Sequence, residues 1–222
     1  MSKQKKISTL SLFSGAGGLD IGFHQSGFKI EACVEIDPRF TKTLVDNPKY
    51  FGDSKIITKD IREVSFDEIG KKKNEIDFII GGPPCQSFSA AGQRKGLNDH
   101  RGTLFKNYIK FIEYYRPKGF LFENVRGILY SNNGSGWKTI LDSFKKIGYQ
   151  VTFRLLNSAD YGVPQLRERV FILGGLTKEL SFPAPTHGID SKSGKPHTTV
   201  LEAIKDVYNP REKQKPFGGQ HG

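Results

Sequence analysis

Apolar and polar positions follow two different periods along this chain, and the period switches repeatedly. Ile7 to Phe13 is apolar with strand-like alternation and is broken by Ser14-Gly15-Ala16-Gly17-Gly18. Leu19 to Gln25 carries apolar residues at helical spacing and ends at Gly27. Lys29 to Val34 predicts a second strand, closed by Glu35-Ile36-Asp37-Pro38, and Pro38 suits the first turn of a helix that runs to about Val45. Lys55 to Thr58 predicts a third strand, ending at Asp60-Ile61, and Ile76 to Ile80 a fourth. Thr103 to Tyr115 is helical in pattern, with Leu104, Tyr108, Ile109, Phe111 and Ile112 on its apolar face. Gly119 to Phe122 predicts a fifth strand, followed by Glu123-Asn124-Val125, and Trp137 to Ile147 an amphipathic helix stopped by Gly148. Tyr149 to Leu156 and Arg169 to Leu173 read as an antiparallel strand pair. This alternation predicts an α/β fold, a three-layer sandwich with a mostly parallel sheet. From Leu176 the pattern fails among Pro183, Pro185, Gly188, Gly194 and Pro196, with one short helix expected at Val200 to Val207.

Bulk composition narrows the class. A chain of 222 residues can bury one good core and a small appendage. No apolar run approaches the ~20 residues that a membrane span needs, and Met1-Ser2-Lys3-Gln4-Lys5-Lys6 lacks the apolar stretch of a signal peptide. Cys33 and Cys85 make neither a disulfide framework nor a metal-ligand cluster, which fits a reducing cytosol. No membrane and no metal are expected. A net charge of +11 points to a polyanionic partner, nucleic acid first, against the plainer reading of a generally basic protein.

The candidate chemistry collects at strand ends, where ligands bind in open α/β sheets. Gly81-Gly82-Pro83-Pro84-Cys85-Gln86-Ser87-Phe88-Ser89 follows the fourth strand. The two prolines restrict the backbone before the thiol. Cys85 is then either a held nucleophile or a buried structural cysteine, the commoner fate of a lone Cys. The turn after the first strand, Phe13 to Gly18, admits a ligand close to the backbone at a helix N-terminus, although its G-x-G-G spacing departs from the dinucleotide fingerprint. Glu35 can accept both hydroxyls of a ribose, Ile36 can pack on an adenine face, and Asp60-Ile61 can meet the adenine edge. Taken singly, each carboxylate also reads as a helix cap or a solvated turn; together the three strand ends form a coherent nucleoside site. Glu123, beside the Cys85 turn, suits hydrogen bonding to a ring nitrogen, or else caps a helix. Alternation along Gln165-Leu166-Arg167-Glu168-Arg169 puts Gln165, Arg167 and Arg169 on one face of an extended segment, as a carboxylate brace or as solvated surface arginines.

Phe-Ser-Gly-Ala-Gly-Gly (13–18), Pro-Pro-Cys-Gln (83–86), Arg-Gly-Thr-Leu-Phe (101–105), Glu-Asn-Val (123–125) and Gln-Leu-Arg-Glu-Arg (165–169) stand in the order of the motif set of the DNA cytosine-5 methyltransferases, and the chain resembles that family over residues 7 to 175. The resemblance implies a Rossmann-like, S-adenosylmethionine-dependent methyltransferase fold. It implies Cys85 as the nucleophile that adds to C6 of a flipped cytosine in duplex DNA. Glu123 would contact N3 and the exocyclic amine, Arg167 would reach O2 and orient Glu123, and Arg169 would support the same pocket with Gln165 as a scaffold. Phe13, Gly15, Gly17, Leu19, Glu35, Ile36, Asp60, Ile61, Pro84 and Leu104 would line the cofactor pocket. Gln86, Ser89, Arg94, Arg101 and Gln165 would meet DNA, the loop from Gln86 to His100 acting as a lid. A bacterial restriction-modification setting in the cytosol or nucleoid follows from the same resemblance.

Single-chain members of that family continue into a target-recognition region and further motifs that residues 176–222 do not contain. Residues 1–175 are therefore expected to form the catalytic and cofactor-binding domain, and 176–222 an irregular extension toward a recognition region. A fragment, one subunit of a split enzyme and a degraded relative are the open explanations. The expectation is that residues 1–222 need a second polypeptide for activity. Two rivals stand beside this reading: a tRNA cytosine-5 methyltransferase using the same Cys85 and Glu123, and a catalytically silent nucleic-acid-binding module, which would have no use for Cys85, Glu123 and Arg167.

Overall fold

The computed structural model describes residues 6–84 and 102–207. Among them, seven strands form one sheet: β1 (Ile7–Leu12), β2 (Phe28–Glu35), β3 (Lys55–Thr58), β4 (Phe78–Gly81), β5 (Gly119–Val125), β6 (Gln150–Asn157) and β7 (Glu168–Gly175). The helices are α1 (Gly18–Gln25), α2 (Pro38–Val45), α3 (Pro48–Phe51), α4 (Gly102–Tyr115), α5 (Ser135–Lys146) and α6 (Val200–Ile204). Strand order is β3-β2-β1-β4-β5-β7-β6. The pairs β3/β2, β2/β1, β1/β4 and β4/β5 are parallel, and β5/β7 is antiparallel. The chain builds outward from β1 in one direction through β2 and β3, then returns to β1's other side with β4 and β5. The carboxyl ends of β1 and β4 therefore flank a topological switch point, where an open α/β sheet has its crevice.

Strand alternation sends successive side chains to opposite faces, and both faces are covered, which is the expected three-layer arrangement. Leu10, Leu12, Ile79, Phe120 and Phe122 pack into one cluster with Tyr108, Phe111 and Phe144. Ile30, Cys33, Ile80 and Leu121 pack into the other with Leu44 and Phe51. The first cluster is aromatic at its centre: Phe120 stacks on Phe144 at 4.4 Å between ring centroids, and Tyr108 meets Phe122 edge-on. Tyr108 is fully buried, and its hydroxyl donates to the Leu121 carbonyl at 2.8 Å. Gly174 leaves room for this cluster, since a Cβ there would sit 2.0 Å from the Phe120 ring.

Several boundaries depart from the sequence expectation. Ile76 and Asp77 precede the ladder rather than open β4, because Asp77 is engaged at the strand entrance: its Oδ2 accepts the Ser8 amide at 3.1 Å and its Oδ1 pairs with Lys118 at 2.7 Å. β5 continues through Glu123-Asn124 to Val125, so Glu123 lies inside a strand and not beyond it; antiparallel pairing with β7, Val125 opposite Arg169, holds the extra residues. Gln165 to Arg167 do not extend β7, which starts at Glu168. The Asn157 side chain takes the Arg167 amide at 3.1 Å, and Pro164 lies in the bend. The helix expected at Val200 to Val207 stops at Ile204. α3 and the 3-10 turns at Asp67–Ile69, Arg126–Gly134 and Ser158–Tyr161 carry no period long enough to have been predicted.

Contacts divide the chain into two compact units, residues 1–155 with 169–182, and 156–168 with 183–222. The second unit has its own hydrogen bonds: the Asp160 carbonyl accepts from the Thr186 and His187 amides, and His197 Nε2 lies 3.0 Å from Asp160 Oδ1. A capping box between Thr199 and Glu202 starts α6.

Candidate active site

The first turn is built on backbone that few side chains tolerate. Phe13, just past β1, has φ 58°, and Gly15 and Gly17 follow with φ 54° and 84°. Gly17 is required sterically as well, because a Cβ would meet Phe51 at 2.5 Å and Leu44 at 2.7 Å. Strain of this kind persists only where the surroundings impose it. Here Glu35, at the end of β2, imposes it: Oε2 accepts the Gly15 amide at 2.8 Å, and Oε1 accepts the amides of Ile36 and Asp37 at 2.9 and 3.0 Å. A carboxylate offers roughly four acceptor positions. Three are taken by the backbone, so Glu35 fixes the turn and keeps limited capacity for a ligand hydroxyl.

Beside this turn lies a cavity of about 330 Å³. Phe13, Glu35, Ile36, Asp60, Ile61, Pro84 and Leu104 line it, together with Val34, Lys59 and Arg62. Its position is the switch-point crevice, and its volume suits a small-molecule site. Apolar walls with acids at two strand ends fit a nucleoside: Ile36 is exposed at the mouth, and Asp60 sits at the end of β3. Asp60 is clamped by Arg62, whose Nε lies 3.0 Å from Oδ1 and whose Nη2 lies 2.5 Å from Oδ2. That hydrogen bonding holds the Asp60 carboxyl below the usual range. Arg62, Lys59 and Val34 escaped sequence reasoning; Arg62 was legible only as an i, i+2 partner of Asp60. Of the other residues assigned to the cofactor, Gly15 acts on Glu35, Gly17 packs on Leu44 and Phe51, and Leu19 packs against the second core cluster.

The second center of chemistry is Glu123. Glu123 and Arg169 are diagonal neighbours on one face of the β5/β7 ladder, since Glu123 stands opposite Phe171 and Arg169 opposite Val125. Their side chains meet, Arg169 Nε lying 3.1 Å from Glu123 Oε1, and both are about three-quarters buried. Arg169 thus sets its guanidinium on Glu123. Arg167 and Gln165 are exposed, and both belong to the second unit.

The turn after β4 is fitted to this acid. A Cβ at Gly82 would lie 2.8 Å from Glu123 Oε2. The next residue along β5, buried Asn124, donates through Nδ2 to the Pro83 carbonyl at 2.8 Å, while its Oδ1 accepts the Val125 amide. Pro84 then lines the cavity described above. Three consecutive residues thus join the Glu123 carboxylate to the cavity, and Cys85 is the next residue in the sequence. Cys85, Gln86, Ser89, Arg94 and Arg101 lie outside the described residues. No cluster of His, Cys, Asp and Glu that could hold a metal occurs among the described residues, and none of their helices is long and apolar enough to cross a membrane.

Comparison with known proteins agrees with this architecture. The type II methyltransferase M.AquIA of Picosynechococcus sp. is 43% identical over 226 residues, covering 92% of this chain and 89% of that protein. The type II methyltransferase M.FnuDI of Fusobacterium nucleatum is 48% identical over 184 residues, covering 81% of this chain and 51% of that protein. The chain thus spans nearly all of one curated relative and about half of the other. Among solved structures, a prophage-encoded chain described as a DNA modification methyltransferase (E. coli) superimposes with a TM-score of 0.71 at 28% identity, over 90% of this chain and 54% of that one. The family model for C-5 cytosine-specific DNA methylase matches residues 7–218, and this chain belongs to that family.

Proposed function

We propose that the chain transfers a methyl group from S-adenosylmethionine to C5 of cytosine in duplex DNA through a covalent adduct on Cys85, within a bacterial restriction-modification system in the cytosol. The observation that carries this reading is the Gly82-Pro83-Pro84 turn, which touches the Glu123 carboxylate at one end and the cavity at the other. Family membership, and relatives whose names call them type II methyltransferases, support it.

The chain's residues divide the work as follows. The cavity holds the cofactor, with Ile36 and Phe13 against its apolar surface and Glu35 and Asp60 toward its hydroxyls and amine. S-adenosylmethionine supplies the methyl group. Cytosine C5 is a weak nucleophile, and a thiolate bond to C6 pushes electron density onto C5, replacing one hard step by two easier ones. Glu123 shares a proton with N3 as that density builds, and Arg169 holds the carboxylate in place. After C5 takes the methyl group, loss of the C5 proton and breaking of the sulfur–C6 bond restore the ring. The base must leave the helical stack first, at a cost of a few kcal/mol. Residues 1–175 carry this chemistry.

The test is trapping on duplex DNA containing 5-fluorocytosine, with cofactor present and with a recognition polypeptide added. A covalent complex lost in C85A supports the reading. Methylation of tRNA with none on duplex DNA would replace the substrate, and absence of any adduct under both conditions would leave a binding module.

A further inference from the structure

Glu35 holds the cofactor turn from the cavity side, and a second device holds it from beneath. Asp20 lies in the first turn of α1 and is 1% exposed, as deep as any core residue. In sequence it reads as an ordinary acid favoured by a helix N-terminus, but it faces the sheet. Cys33, fully buried on β2, donates its thiol to Asp20 Oδ1 at 3.6 Å. The Ser11 hydroxyl, from β1, counters the upward push of burial on the Asp20 carboxyl. Ser14 joins the same cluster: its hydroxyl donates to Ser11 Oγ at 2.9 Å. Burial pushes the Asp20 carboxyl up against these stabilising hydrogen bonds, and Oδ2 has no partner. An acid kept under such conditions is costly, and an apolar residue would pack the site more cheaply.

Its connections suggest what it does. Ser14 is the residue between strained Phe13 and Gly15; its amide is tied to the Val34 carbonyl at 3.2 Å and its carbonyl to the Gly17 amide at 3.0 Å. The cluster therefore ends on the residue that sets the path of the glycine turn. We propose that Asp20 is a positioning residue for the cofactor-binding turn, acting through the hydroxyls of Ser11 and Ser14. This rests on reading the cavity as the S-adenosylmethionine site. Asp20 touches no ligand itself. It fixes the turn before the cofactor arrives, so that binding does not have to order it.

The test uses the full chain with S-adenosylhomocysteine as the calorimetric probe, alongside cofactor KM and kcat under conditions that support methyl transfer. D20A is expected to raise Kd and cofactor KM about tenfold, the loss of a charge-assisted hydrogen bond, with kcat at saturating cofactor unchanged within about twofold. S14A is expected to raise Kd less, and D20A/S14A no further than D20A, because the two act as one unit. I21A, which trims apolar packing on the same helix, should lower thermal stability with little change in Kd. Should D20A not fold, S11A carries the same test, since Ser11 stands between the Asp20 carboxyl and Ser14. Wild-type binding with an unchanged Kd in D20A, or in S11A in its place, overturns this proposal alone, as do penalties of D20A and S14A that multiply. No binding by the wild type overturns the reading of the cavity as well.

Discussion

The carboxylate of Glu123 occupies the space that a side chain at Gly82 would need, 2.8 Å from where a Cβ would stand. An acid on β5 and a glycine after β4 have been shaped to each other, in the turn that leads to Cys85. G82A should displace the carboxylate while leaving the cavity walls in place. Methyl transfer is expected to fall about 100-fold, within the range for losing a positioned acid, with S-adenosylhomocysteine affinity held within about twofold. Unchanged turnover in G82A would separate Glu123 from the chemistry.

Arg169 should matter through the same carboxylate. The pair is largely buried, so removing Arg169 takes a charge partner from the Glu123 carboxylate where water cannot replace it. R169A is expected to lower kcat by about 10- to 100-fold, the equivalent of a lost hydrogen bond to a charged group. R167A, whose residue is exposed in the second unit, is the comparison. A larger loss in R167A than in R169A would shift the orienting role to Arg167.

Glu35 holds three backbone amides as an acceptor. E35A frees the Gly15 amide and the two at the start of α2, and the strained turn loses its tie. Cofactor Kd is expected to rise at least about tenfold, read by calorimetry. E35D, one methylene shorter, cannot span the same three donors and should fall close to E35A. Full affinity in E35D would show that the contact to Gly15 is dispensable.

Asp60 carries a pH signature. The Arg62 hydrogen bonds hold its carboxyl below the ordinary carboxylate value of about 3.9. A depressed folded-state value means that the stabilisation is present above the unfolded value and is lost as pH falls through the folded one. NMR titration of the side-chain carboxyl should show Asp60 titrating low in the wild type and nearer 3.9 in R62A. Identical titration in both proteins would mean that Arg62 does not clamp Asp60 in solution.

The aromatic core can be probed at Gly174, where a Cβ would meet the Phe120 ring at 2.0 Å. G174A overpacks the Phe120–Phe144 stack and should cost about 1–3 kcal/mol. Thermal unfolding should drop by about 2–4 °C for each kcal/mol lost. No drop would mean that β7 shifts away from β5 without penalty.

Local pattern was enough for the parts of this protein that depend on neighbours in the chain. Period two against period 3.6 placed β1, β2, β3, β5 and the long helices close to where they stand, because burial of one face imposes those periods on the sequence. The glycine turn, Glu35, Asp60 and Pro84 were legible for the same reason, as residues at strand ends, whereas Glu123 lies inside β5. Pairing across long separations was not legible. β6 and β7 stand side by side as their pattern predicts, but that β7 also pairs with β5 is set by packing and not by its own alternation, and it is the β5/β7 register that carries Arg169 onto Glu123. Depth was not legible either. Asp20 looks like a helix-start acid, Cys33 like any apolar strand residue, and only the docking of α1 against β1 and β2 encloses both with Ser11 and Ser14 in one polar cluster.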